Sequence, residues 1–253
     1  MAVQITTRTN TRNQLTVDFL LSHFCLFDNR FIPATFKNNT GLSFSLTGAI
    51  PVARDTTTPN QVIPVLGPVG APALPVLTGS TTGGTLAANT YFVKQTALTV
   101  YGETTGSAEA SVTTTGSTSS IAVAGTAVPG ALSYRTYIGT TTNAEGQYFA
   151  SATPNITLTT ATGTSGTVPT SDTTGNLANV IGFTIVEGTV VLANNGTSAI
   201  SVVIHGNIDA NYIILSPNTT FDTVVGNKAF QDVLNGIGFT MDRTGIDNTK
   251  IDN

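Results

Sequence analysis

Few residues in this chain have side chains that could do chemistry. Its 253 residues include two histidines, His23 and His205, and one cysteine, Cys25. His205 stands in "VVIHGNID", close to Asp209, so a Ser/His/Asp relay is the first chemistry to weigh. The Gly-x-Ser-x-Gly elbow that presents such a serine is missing, and these residue types are too scattered for their co-occurrence to carry weight. His205 therefore reads as a satisfied or interface histidine. His23 and Cys25 would share one face of a strand, but a zinc ion takes four ligands, or three and a water. The closing stretch "DRTGIDNTKIDN" (242–253) is rich in oxygen ligands yet lacks the Asp-x-Asp-x-Asp-Gly order and terminal Glu of a calcium loop. No glycine-rich phosphate cradle leads into a helix. Between Val76 and Gly175 the acids are only Glu103, Glu109, Glu145 and Asp172, which gives no evident carboxylate pair for glycan hydrolysis. The expectation is a protein without catalytic residues, cofactor or metal.

The elements that would carry these residues are β-strands. Only 9% of the side chains are charged, against roughly 25% in an average globular protein, while 40% are hydrophobic. Val, Ile, Phe and Tyr recur at strand-like intervals, so the chain is folded and β-rich. A net charge of −4 excludes a broad nucleic-acid face, which needs clustered Lys and Arg. The first 17 residues, with Arg8 and Arg12 and no acid, form a weakly basic arm. That arm reads either as an ordinary disordered terminus or as one that orders against a neighbouring subunit. One cysteine excludes a disulfide framework. No stretch has the form of a secretory signal or the ~20 apolar residues of a membrane span, so a soluble product made in the cytoplasm is expected.

Two Pro/Gly-rich stretches, "PVGAPALPV" (68–76) and "GTSGTVPTSDTTGN" (163–176), bracket a segment with 28 threonines in the 100 residues from Val76 to Gly175. Within it, strands are predicted at 89–103, 108–114, 119–125, 132–140, 146–152 and 155–161, the pattern of an all-β sandwich. In "SYRTYIG", alternation puts Tyr134, Thr136 and Ile138 on one face and Arg135 and Tyr137 on the other, so that one face can pack while the other stays wet. Before the segment, strands are predicted within 30–53 and 60–67, and "NQLTVDFLLSHFCLF" (13–27) suits either a helix or a strand. After it, 179–217 supplies three or four strands, with a type I′ hairpin at Asn195-Gly196. A single helix is predicted from Thr219 or Thr220 towards Gly236, interrupted or kinked at Gly226. Neither flank alone closes a core. Together they give about eight strands and a helix, so residues 1–71 and 177–253 are expected to form one discontinuous β domain into which 72–176 is inserted.

Residues "LAANTYFVKQTALTVYGET", "AVPGALSYRTYIGTTTNAEGQYFAS" and "TVPTSDTTG" resemble the fibronectin type III or immunoglobulin-like modules found in bacteriophage tail and capsid proteins. The likeness departs where that family carries a core tryptophan, since "SSIAVAG" offers only Ile121 and Val123. The second flank, with "VVIHGNIDANYIIL" and "LNGIGFTMDRTGI", is similar to the C-terminal half of phage head decoration, or cement, proteins. These resemblances imply a mainly β protein: a discontinuous capsid-binding β domain with one short C-terminal helix, plus an inserted Ig-like/FN3-like β-sandwich projecting outward. They also imply a non-enzymatic virion protein on the capsid exterior, assembled as a homo-oligomer, with trimers the first guess, on the major capsid protein. The alternative is a tail, baseplate or fibre component whose module contacts the host surface or glycans. Few charges guard these β-surfaces against edge pairing, so an assembly is expected to cover them. Phe19, Phe24, Phe27, Phe31, Phe36 and His205 are the candidate interface residues. The competing reading makes the phenylalanines ordinary core aromatics.

Overall fold

The computed structural model describes residues 30–242. The stretch 13–27, with Phe19, Phe24 and Phe27, lies outside the described residues. Four strands precede the threonine-rich segment: β1 (Arg30–Lys37), β2 (Phe44–Gly48), β3 (Pro51–Arg54) and β4 (Gln61–Pro64). The segment itself holds β5 (Val76–Ser80), β6 (Thr90–Leu98), β7 (Ala110–Thr113), β8 (Ser120–Ala124), β9 (Ser133–Gly139), β10 (Gln147–Ser151), β11 (Ile156–Leu158) and β12 (Thr164–Ser165). Two long strands follow, β13 (Val180–Leu192) and β14 (Thr197–Asp209), then the small ladder β15 (Val224–Val225) and β16 (Lys228–Ala229). Helix α1 (Phe230–Gly236) and β17 (Phe239–Asp242) complete the described chain. The protein is mainly β, as the composition requires, with one short helix near its C-terminus.

The strands outside the segment form one sheet in the order β17-β14-β1-β4-β3-β13-β2, and an additional β13–β14 pairing closes five of them into a small barrel. Alternation sorts its side chains. Ile32, Ala34 and Phe36 on β1 point inward with Ile200 and Val202 of β14, Val62 of β4 and Val52 of β3. The intervening residues of β13 and β14, Phe183 and Val203, pack outward against Phe230 and Leu234 of α1 and Phe239 of β17. Both faces of this part of the wall are therefore covered, and Val202 and Val203 are adjacent and fully buried. At about 25 cal/mol per Å2 of apolar area buried, covering both faces makes this part of the wall a large contributor to stability.

Two polar residues finish the barrel. Asn38, fully buried, donates through its amide to Leu42 O (2.7 Å), Ala193 O (2.9 Å) and Leu192 O (3.0 Å), tying the end of β1 to the β13–β14 turn. Thr184 Oγ accepts from Ile50 N–H and donates to Gly48 O, both at 2.9 Å, so this buried hydroxyl is fully satisfied. Closure also needs a glycine. A Cβ at Gly182 would lie 2.1 Å from Val203 O, so only glycine lets β13 cross β14 this closely.

Several expectations are corrected here. The three or four strands expected over 179–217 are two of 13 residues each. Irregular register at Val186/Thr189, with Gly188 at φ 73°, lets β13 leave β14 and β3 and continue along β2, so one strand serves where two were expected. The hairpin centre is shifted by one residue. Asn195 takes positive φ (63°) but Gly196 does not, and Gly196 N–H closes the turn on Ala193 O at 2.9 Å, so the turn is not type I′. The helix is seven residues long, with Ala229 at its N-cap. Val224 and Val225 are β-branched, and Gly226 turns at φ 66°, so this half of the predicted helix folds into the β15–β16 ladder instead.

The threonine-rich segment builds two sheets, β12-β10-β9-β6-β7 and β11-β8-β5. They pack face to face over Leu86, Tyr91, Val93, Ile121, Val123, Ile138 and Leu158. Every strand proposed between 89 and 161 is present at its expected place.

The chain leaves the barrel after β4 and returns before β13, and the two crossings are bonded side by side. Asn176 accepts Leu66 N–H through Oδ1 (2.7 Å), donates Nδ2–H to Pro64 O (3.2 Å), and donates its own N–H to Leu66 O (2.9 Å). Val69 N–H donates to Thr174 Oγ (3.0 Å), and Thr99 Oγ donates to Thr174 O (2.9 Å). A Cβ at Gly175 would meet Pro68 N at 2.8 Å, so glycine is required at this contact too. The Tyr101 hydroxyl reaches Pro64 O (3.1 Å) and Asn39 Oδ1 (3.3 Å) across the junction, and burial raises its pKa above the usual phenol value.

Gly182→Ala is expected to destabilise the protein by on the order of 3 kcal/mol, read as a lower urea midpoint. An unchanged midpoint would show that the β13–β14 crossing does not constrain the barrel.

Candidate functional site

Six charged side chains occur between Val76 and Gly175, and the structure brings five of them to the outer face of the five-stranded sheet. Register explains the convergence. Lys94 lies opposite Tyr137, Thr96 opposite Arg135, and Tyr148 opposite Tyr137, so all five residues project from the same side. The sixth, Asp172, instead accepts Thr174 N–H (2.9 Å) and belongs to the junction.

The face divides into two clusters. In the first, Glu103 accepts from Thr96 Oγ (2.5 Å), Tyr137 Oη (2.8 Å) and the Arg135 guanidinium, while that guanidinium lies 4.4 Å from the Tyr148 ring centroid. Burial, followed by its hydrogen bond to Glu103, pushes the Tyr137 hydroxyl up to about 12. Of the two residues on this face of β9, Tyr137 is covered by the network and 1% exposed, while the Arg135 side chain stays 32% exposed. Every partner in this cluster is satisfied, so its role is to hold the outer face together.

The second cluster surrounds Lys94. Its Nζ donates to Asn143 Oδ1 (2.7 Å) and lies 3.5 Å from Glu145 Oε2 and 3.8 Å from Glu109 Oε2. Glu109 clamps the β9–β10 turn, accepting from Thr142 Oγ and Asn143 N–H, both at 2.6 Å. The side chain of Glu145 is only 2% exposed, and its Oε1 has no partner within the protein. Burial, and then its contact with Glu109, raises the Glu145 pKa, whereas the hydrogen bond from Glu145 holds Glu109 down to about 2. The two neighbouring carboxyls thus shift each other in opposite directions, Glu145 upward and Glu109 downward. Lys94, Asn143 and Glu145 sit in the wall of an open cleft of about 690 Å3 edged by Gly106, Ser107 and Val168.

The residues expected to meet a partner do not form one patch. Phe36 is fully buried in the barrel as a core aromatic, because alternation places it with Ile32 and Ala34. Phe31, of opposite parity, is 44% exposed. His205 is half-buried on β14 opposite Arg30, its ring against Gly238. A different apolar surface surrounds β2, the last strand of its sheet. Leu42, Val191 and Ile214 there are 46%, 68% and 45% exposed. Two adjoining hollows of about 170 and 190 Å3 lie alongside, sharing Phe44, Leu66, Ser216 and Pro217. The first also takes Val100 and Pro129 from the inserted segment. The alternation in "LSFSLT" marked Leu42 and Phe44 as apolar, but that β2 ends a sheet is set by pairings more than 130 residues apart in sequence.

Among the described residues no three of His, Cys, Asp and Glu gather as metal ligands, and no helix is long and apolar enough to cross a membrane. Comparison with protein-family models, curated proteins and solved structures finds no match for this chain.

Because Glu145 has a raised folded pKa, its contribution to stability is complete below its unfolded value of 4.5 and is lost as pH rises through the folded one. Glu109 acts in the opposite sense, contributing fully above 4.5 and losing that contribution as pH falls towards about 2. Glu145→Gln keeps a neutral donor for Glu109. Thermal melts between pH 4 and 8 should show a decline in Tm above pH 4.5 that is smaller in this variant than in the parent protein. Identical slopes would contradict a raised Glu145 carboxyl.

Proposed function

We propose that this protein is a non-enzymatic structural component of a bacteriophage virion, a cement or decoration protein. In this reading the barrel binds the assembled shell and the inserted sandwich projects away from it. The observation that carries the reading is the apolar surface around β2. Leu42, Val191 and Ile214 stand exposed beside a terminal strand of the sheet, in a chain that spends very few charges on guarding such edges. Strand-edge pairing and apolar burial suit adhesion repeated over many copies, where modest contacts add by multivalency. The resemblance of the second flank to head decoration proteins points the same way. The same surface would serve between copies of this chain in a trimer. In a tail or baseplate protein the chemistry would be the same and the copy number small.

Val191→Lys combined with Ile214→Lys places charge on this surface without touching a fully buried residue. Sedimentation with particles stripped of the protein should show binding at least about tenfold weaker, with Tm unchanged within a few degrees. Undiminished binding would exclude this surface as the adhesive one.

A further inference from the structure

The two hollows beside β2 have a size and a lining that suit side chains better than a small molecule. At about 170 and 190 Å3, each is smaller than the roughly 300–1,000 Å3 of an ordinary ligand pocket, and none of their lining residues is charged. Leu42, Phe44, Leu66, Val100 and Pro129 form the apolar walls of the first, with Leu42 and Val100 left 46% and 44% exposed. Apolar area gathered in this way marks a contact surface. The chain itself carries a matching segment. Seven of the nine residues in "FLLSHFCLF" (19–27) are apolar, Phe19, Phe24 and Phe27 among them, and the segment lies outside the described residues. Three phenylalanines bury roughly 150–250 Å2 each. With the walls they cover, they reach on the order of the 1,200 Å2 at which specific interfaces begin.

Where that segment joins the fold decides whose hollows it can enter. It leads into β1 at Arg30, which pairs with His205, whereas Lys37 at the other end of β1 pairs with Thr197 beside the β13–β14 turn. The hollows are at the Lys37 end. Thr40 and Leu42 follow that end directly, Phe44 is opposite Leu192 at the same turn, and Leu66 follows β4, which runs parallel to β1 with Val62 at Phe36. Strand β1 is 8 residues long, about 23 Å at ~3.3 Å per residue. Phe27 is three residues from Arg30 and can reach about 10 Å, so the segment as a whole cannot lie in the hollows of its own chain. A second copy has no such limit. We infer that residues 19–27 of one copy seat their phenylalanines in the hollows beside β2 of a neighbouring copy. Each chain gives one segment and receives another, a head-to-tail contact that closes into a ring. The inference rests on the reading of the β2 surface as adhesive and names what that surface holds between copies.

Mass in solution, measured by sedimentation equilibrium on the full chain without particles, tests this separately from shell binding. The parent protein should be oligomeric. Phe24→Asp combined with Phe27→Asp spoils the donated segment, and Leu42→Lys combined with Val100→Lys places charge in the receiving hollow without altering a fully buried residue. Each double variant alone should sediment at the 26.0 kDa of one chain, with circular dichroism spectra unchanged. Mixed in equal amounts, the two should form a complex of at least twice that mass, because the intact segment of one enters the intact hollows of the other. A monomeric parent would overturn the inference. So would a mixture that stays monomeric, the outcome of a segment folded onto its own chain, or a segment variant that stays oligomeric, the outcome of hollows meeting face to face. A parent that assembles in the expected pattern yet leaves particles unbound would support the exchange and overturn the shell-binding reading alone.

Discussion

The structure turns on the junction where the chain leaves the barrel after Pro64 and comes back at Leu177. A module inserted between two strands of a closed barrel can be accommodated only if its ends return to nearly the same point. Here they are bonded to each other. Asn176 uses its backbone N–H, its side-chain oxygen and its side-chain amide on the outgoing segment, and Gly175 removes the one side chain that would keep the two apart. Loss of any of these bonds would leave a buried carbonyl or N–H unsatisfied, at about 1–3 kcal/mol each. The crossing therefore permits the barrel to close around strands more than 100 residues apart. Through Tyr101 and Thr99 it also fixes the sandwich against the barrel instead of leaving it on a tether.

The legible part of the fold was set by local chemistry. Turn residues every eight to twelve positions delimited the strands of the threonine-rich segment, and period-two alternation identified Ile121, Val123, Tyr134, Thr136 and Ile138 as inward-facing. The parts that were not legible depend on distant partners. Nothing near Gly188 says that β13 must change neighbours there, and the helical spacing of Phe221, Val224 and Val225 was overridden by a Gly-Asn turn that favours a ladder. Phe36 and Phe31 look alike in the sequence. Strand parity alone sends one into the core and the other to the surface.

The candidate sites divide along the same line. Lys94, Glu103, Glu109, Arg135 and Glu145 were visible as the sparse charges of their segment, and Lys94/Thr96 and Arg135/Tyr137 already had the spacing of a common face. Their pairing across β6 and β9 was not visible, and pairing turns scattered charges into a cluster in which Lys94 lies between two carboxyls and donates to Asn143. The apolar surface around β2 was hidden for a related reason, since only the topology shows which strand ends a sheet. The sandwich thus carries its charges on one sheet face, while exposed apolar side chains lie around β2 beside the junction.

Electron cryo-microscopy of intact particles tests the central claim most directly. The account predicts many symmetry-related copies on the shell, with the apolar surface around β2 buried in contacts and the charged face of the sandwich turned to solvent. A handful of copies confined to the tail, or a shell contact made by the sandwich with β2 left bare, would contradict it.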